Sequence, residues 1–75
     1  MSLFACKLKE LRLKTGSKQI DIAKYLGILP RTVRFYESGE HEPDIDMLIK
    51  IADFYNVSID YLVGRTNNLN SHKNQ

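Results

Sequence analysis

Residues Gln19 to Gly39 read QIDIAKYLGILPRTVRFYESG, and the punctuation of this stretch decides the fold. Ile22, Ala23 and Leu26 recur at i, i+1 and i+4, one face of a short helix. The pattern stops at Gly27, which can take the left-handed conformation that closes a helix, and Pro30 three positions later suits the first turn of another. Only Ile28 and Leu29 stand between them. Proline disfavours the α conformation at Leu29, so the chain must bend there before Arg31 to Ser38 resume helical geometry. Two helices meeting at a steep angle are expected. The small side chain of Ala23 allows them to cross closely, and Ile28 and Val33 fill the corner.

At 100° per residue the second helix divides into Val33, Tyr36 and Glu37 on one side and Arg31, Arg34, Phe35 and Ser38 on the other. A phenylalanine between two arginines brings no benefit to a monomer's surface, whereas a reader of the DNA major groove uses that trio. Arg31 can donate paired hydrogen bonds to guanine O6 and N7, and Phe35 can press on a thymine methyl. Arg34, at the flank, suits a phosphate as well as a base. The plainer alternatives are a solvated arginine at position 31 and, for Phe35, a local patch with Leu29 and the stem of Arg31.

Gln19, Ala23, Leu26-Gly27, Val33 and Tyr36-Glu37-Ser38-Gly39 together resemble the helix-turn-helix of the Cro and lambdoid phage repressor superfamily. Phe4, Leu8 and Leu11-Arg12 match its first helix and Gly16 the turn that follows. Pro43-Asp44, Ile45, Leu48, Ile51-Ala52, Asn56-Val57-Ser58, Asp60, Leu62 and Gly64 match its fourth and fifth helices in register, so the likeness covers about 60 of the 75 residues. It implies an all-α, compact five-helix bundle of the lambda-repressor type, with the helix-turn-helix formed by helices 2 and 3. It also implies a phosphate contact from Gln19, contacts of Thr32 and Ser38 with the DNA backbone, and an internal salt bridge between Arg12 and Glu37. The sequence departs from the pattern in places. Leu29 stands where the family commonly caps the recognition helix with Ser or Thr, and Lys18 replaces the usual Thr before Gln19. Leu29 and Pro30, at positions often used for base contact, offer only apolar contact. Glu40 and Glu42 make the next loop acidic, which rules out a cationic minor-groove arm there.

Composition sets the outer limits. A chain of 75 residues, 43% hydrophobic and 27% charged, has room for one small globular domain and none for a second. No apolar run reaches the roughly 18 residues that cross a bilayer, and Lys7, Lys9 and Glu10 interrupt any signal-peptide core. A cytoplasmic protein is expected. Cys6, the single cysteine, excludes an internal disulfide and is expected as a small buried side chain on the first helix. The net charge of +2 hides a sharp division. Residues 1–36 hold eight basic groups against two acidic ones, a balance of +6, while residues 37–64 hold seven acidic groups against Lys50, a balance of −6. A phosphate backbone attracts the first half and repels the second.

The rest of the chain organises around the central pair. Ser2 can cap a first helix running to about Lys14, with Phe4, Leu8 and Leu11 inward. Asp44 caps a fourth helix whose buried stripe is expected to be Ile45, Leu48, Ile51-Ala52 and Tyr55, and Ser58 caps a short fifth ending at Gly64. Residues 1–64 are thus expected as the domain, and the Asn-rich residues 65–75 as a mobile tail. His41, His72 and Cys6 have no spacing that suggests a triad or metal site, and the acidic residues lack calcium-loop spacing. No enzymatic activity, cofactor or metal is expected. The functional expectation is a sequence-specific regulator that binds double-stranded DNA, a repressor on a palindromic operator as a homodimer, with Ile59 and Val63 on helix five at the dimer interface. The alternative is a protein-interaction module on the same fold, such as an antitoxin, with a toxin or antirepressor as partner and DNA binding secondary or lost.

Overall fold

Chain reversals at left-handed residues lay out the molecule. The computed structural model describes residues 3–64, which form α1 (Leu3–Thr15), α2 (Gln19–Leu26), α3 (Pro30–Ser38), α4 (Ile45–Tyr55) and α5 (Ile59–Leu62), with no strand among the described residues. This is the all-α five-helix architecture expected from the sequence. The cap proposed at Ser2 and the tail at residues 65–75 lie outside the described residues.

The first four helices end in the same way. At Gly16, Gly27, Gly39 and Asn56 the backbone turns to positive φ, and Asn56 at +56° is the one non-glycine to do so among the described residues. The next residue's N–H then reaches back across the helix end: Ser17 to the Arg12 carbonyl (3.2 Å), Ile28 to Ala23, Glu40 to Phe35 and Val57 to Ala52 (each 3.0 Å). These bonds satisfy carbonyls that a helix terminus otherwise leaves open, and they reverse the chain within two residues. Helix starts are less uniform. Asp44 Oδ1 accepts the Met47 N–H at 2.8 Å and Ser58 Oγ accepts the Tyr61 N–H at 3.0 Å, as expected for α4 and α5.

The largest fully buried side chains come one from each helix: Leu8, Ile22, Val33, Ile51 and Leu62. Around them α2 packs on α3 and α4, α1 packs on α3 and α5, and α4 meets α5. Ala23 and Val33 are buried at the α2–α3 corner, with Ile28 partly buried against the same core. Phe4 and Tyr36 join α1 to α3 edge to face, their ring centroids 6.4 Å apart. No helix among the described residues is long and apolar enough to cross a membrane.

Two expected burials are corrected. Cys6 is exposed, because Phe4, Ala5, Leu8 and Leu11 define the inward side of α1 and position 6 stands about 200° from both Phe4 and Leu8. Ile45 is also exposed. Along its side of α4 the exposure falls from 73% at Ile45 through 42% at Ile49 to 5% at Ala52, because the packed arc of α4, with Met47 and Leu48, centres on Ile51, and Ile45 and Ile49 stand about 120° and 160° from it. Leu48 and Tyr55 are half-buried, and the Tyr55 hydroxyl meets Ser17 Oγ at 3.0 Å.

Candidate nucleic-acid interface

The N-terminus of α2 is built without the usual hydroxyl cap. Lys18 has the extended backbone of a capping residue, but its ammonium cannot accept a hydrogen bond, so the first-turn carboxylate of Asp21 accepts the Lys18 N–H at 2.8 Å instead. This arrangement fixes Gln19 on the first turn, half-buried, with Nε2 donating to Glu37 Oε1 at 3.2 Å. The α2 side of the motif is thereby tied to the last turn of α3.

Glu37 is the hub of that region. Arg12 Nε donates to Glu37 Oε2 at 2.6 Å and an Arg12 terminal nitrogen donates to Oε1 at 3.1 Å, a two-pronged pair across 25 residues of sequence. The Glu37 side chain is 5% exposed and that of Arg12 is 16% exposed. The hydrogen bond to Glu37 raises the Arg12 pKa above the ordinary arginine value, desolvation opposes the shift, and the Glu37 charge adds to it. The salt bridge implied by the family resemblance is therefore present, and it locks α1 to α3.

With one side of α3 held in this way, the other side is free. Leu29 starts the helix in an extended conformation with no side-chain cap, Pro30 occupies its first turn, and both are exposed. Arg31 and Arg34 are exposed and make no ion pair among the described residues. Thr32 and Phe35 are half-buried, and Ser38 is exposed. The structure thus gathers Arg31, Thr32, Arg34, Phe35 and Ser38 on α3, with Gln19 joined to them through Glu37. Ser38 is less available than its position implied: its Oγ donates to the Phe35 carbonyl at 3.0 Å and accepts the Glu40 N–H at 3.3 Å. Ile59 is exposed on α5, whereas Val63 follows the last residue of α5 and is half-buried, beside Leu3, Pro43 and Leu48.

Two residues of this region escaped the sequence reading. Lys9 of α1 lines a cleft of about 200 Å³ with Gln19, Arg34 and Ser38 over the Arg12–Glu37 pair. His41, which reads as isolated, lies with its ring centroid 5.1 Å from that of Phe35. Phe35 packs there and beneath Arg34. The only signal for His41 in the sequence is its place just past the Gly39 reversal.

Fold and surface together define a helix-turn-helix domain with an exposed, cationic second helix. The helix-turn-helix family model matches residues 8–62, and the chain belongs to that family, of the Cro and phage-repressor type. It is similar to the HTH-type transcriptional regulator ImmR of Bacillus subtilis, with 42% identity over 59 residues that cover 79% of this chain and 46% of ImmR. The chain thus spans about half the length of that relative. A crystal structure of a transcriptional regulator from Listeria innocua is 46% identical with a TM-score of 0.78, covering 81% of this chain and 57% of that one. The P22 c2 repressor protein, solved in complex with a synthetic operator, shares the fold at a TM-score of 0.80 and 23% identity, covering 88% of this chain and 100% of the repressor.

Proposed function

We propose that this chain is a sequence-specific transcriptional regulator that binds double-stranded DNA, acting as a repressor by occupying a palindromic operator as a homodimer through α3. The observation that carries the reading is the division of α3: one side is locked to α1 and α2 by the Arg12–Glu37–Gln19 network, and the other presents exposed Arg31 and Arg34 beside Phe35. A rigid helix with cationic forks on its free side suits the major groove. Arg31 is assigned to base reading at a guanine, Phe35 to a thymine methyl, and Arg34 and Gln19 to phosphates, with Thr32 beside them. Leu29 and Pro30 contribute apolar contact only, and Ser38 joins the DNA backbone only by giving up its bond to Phe35. The +6 balance of residues 1–36 steers this side toward the duplex. On this reading the chain is a cytoplasmic binder and not an enzyme.

A two-fold pair of copies sets its α3 helices about 34 Å apart, in successive major grooves. Ile59, exposed on α5, and Val63 just beyond it are assigned to that contact. The relatives support the reading through their own names, a regulator in ImmR and an operator-bound repressor in P22 c2. Selection from random duplexes followed by anisotropy titration tests it. An enriched palindrome, bound with strong salt dependence, is the expected result. Enrichment of no sequence overturns the operator, and a species that sediments as a monomer both free and on DNA overturns the dimer.

A further inference from the structure

Phe35 is braced from outside the core. The ring of His41 meets it edge to face, with centroids 5.1 Å apart and planes at 78°, while the Arg34 guanidinium carbon lies 5.6 Å from the Phe35 centroid. The backbone reinforces the contact. The Phe35 carbonyl accepts N–H bonds from Glu40 at 3.0 Å and His41 at 3.3 Å, and the Ser38 hydroxyl at 3.0 Å. The loop after α3 is therefore folded back onto Phe35, and the histidine side chain follows its own backbone to the ring. A half-buried phenylalanine on an exposed helix face otherwise chooses among staggered rotamers, and an edge-to-face partner at this distance selects one of them.

We propose that His41 is a positioning residue for Phe35: it fixes the ring in the orientation from which Phe35 meets a thymine methyl, and so sets base preference without touching a base. The proposal rests on the reading of α3 as a recognition helix. In that role His41 acts through packing on one ring, so its removal should change which methyl is sensed while leaving the cationic attraction of Arg31, Arg34 and Lys9 in place.

The test uses the full chain and the duplex enriched by selection, with each thymine replaced singly by deoxyuridine, which removes one methyl group and nothing else. Wild-type protein is expected to lose about fourfold in affinity at one thymine, the value of one buried methyl. That ratio should fall to near one in Phe35→Ala, in His41→Ala and in His41→Leu, which keeps bulk without a ring. His41→Phe, which restores an edge-to-face partner, should recover it. Binding of His41→Ala to random duplex should stay within about twofold of wild type, with an unchanged circular dichroism spectrum. If His41→Ala keeps the thymine-to-uracil ratio, or weakens every duplex equally, the proposal is overturned and His41 is a bystander or a phosphate contact. If wild-type protein senses no methyl anywhere, base reading by Phe35 fails and the proposal falls with it. The guanine preference of Arg31, measured on the same duplex, reports separately whether α3 is a recognition helix.

Discussion

Arg31 and Glu37 stand six positions apart on the same short helix, and their surroundings give them opposite tasks. Arg31 is exposed and carries a rigid fork of donors that no protein group among the described residues engages as an ion pair. Arg31→Ala is expected to relax the preference at one base pair and to cost about 1 to 3 kcal/mol on the preferred duplex, measured by anisotropy on single-base variants. Equal weakening of all duplexes would make it a phosphate anchor. Glu37 is buried against Arg12 and Gln19. Glu37→Gln leaves the Arg12 guanidinium without its counter-charge, and the expected loss is about 3 kcal/mol in urea unfolding, the low end for a broken buried pair because Arg12 keeps some water. Removing the carboxylate should therefore lower stability well before it changes base preference.

At the scale of the element, the turn between α2 and α3 is set by backbone chemistry. Gly27 has φ +73°, and a Cβ added there meets nothing within 4 Å. The cost of Gly27→Ala is thus conformational and free of clash, about 1 to 2 kcal/mol by thermal or urea unfolding. Gly27→Asn should cost less, since Asn56 closes α4 in the same left-handed geometry. A loss above 4 kcal/mol in Gly27→Ala would show that the turn itself moves. The same local chemistry explains why the helix ends were legible in the sequence. Gly16, Gly27, Gly39, Pro30, Asp44 and Ser58 act on the backbone within a few residues of themselves, and each stands where its reading placed it.

At the scale of the whole molecule, desolvation of three tyrosines, Tyr36 and Tyr61 buried and Tyr55 half-buried, makes stability depend on alkaline pH. Desolvation is the largest cause of a raised pKa at Tyr36, Tyr55 and Tyr61; the charge of Asp44 adds to it at Tyr36 and that of Glu10 at Tyr61, while the bond to Ser17 opposes it at Tyr55. A phenol whose folded pKa lies above its unfolded value holds its proton longer in the folded state. Its contribution is complete below the ordinary phenol range near pH 10 and is lost as pH rises through the folded values. The urea midpoint is therefore expected to fall from about pH 10 upward, with tyrosinate absorbance rising together with unfolding. Phenolate absorbance that saturates at pH 10 in the folded protein would contradict the burial of these rings.

The sequence by itself determined the five helices, the ends of α2, α3 and α4, the side of α3 that faces outward and the charge division, because periodicity and backbone preference act over a few residues; α5, expected to run to Gly64, ends at Leu62. Tertiary structure decided what those helices cover. Periodicity gave Ile45 the same side as Ala52, yet Met47, Leu48 and Ile51 turn the packed arc of α4 away from it, so Ile45 is exposed. Composition makes Cys6 small and apolar, yet the packing of α1 leaves its side of the helix uncovered. Family resemblance pointed to Arg12 with Glu37, but the distances that make it a part-buried, two-pronged pair arise only when α1 and α3 dock. The brace of His41 on Phe35 is the clearest case, since it depends on where a chain reversal returns a side chain in space. Such contacts are fixed by separations between elements, which local preferences along one strand of sequence do not encode.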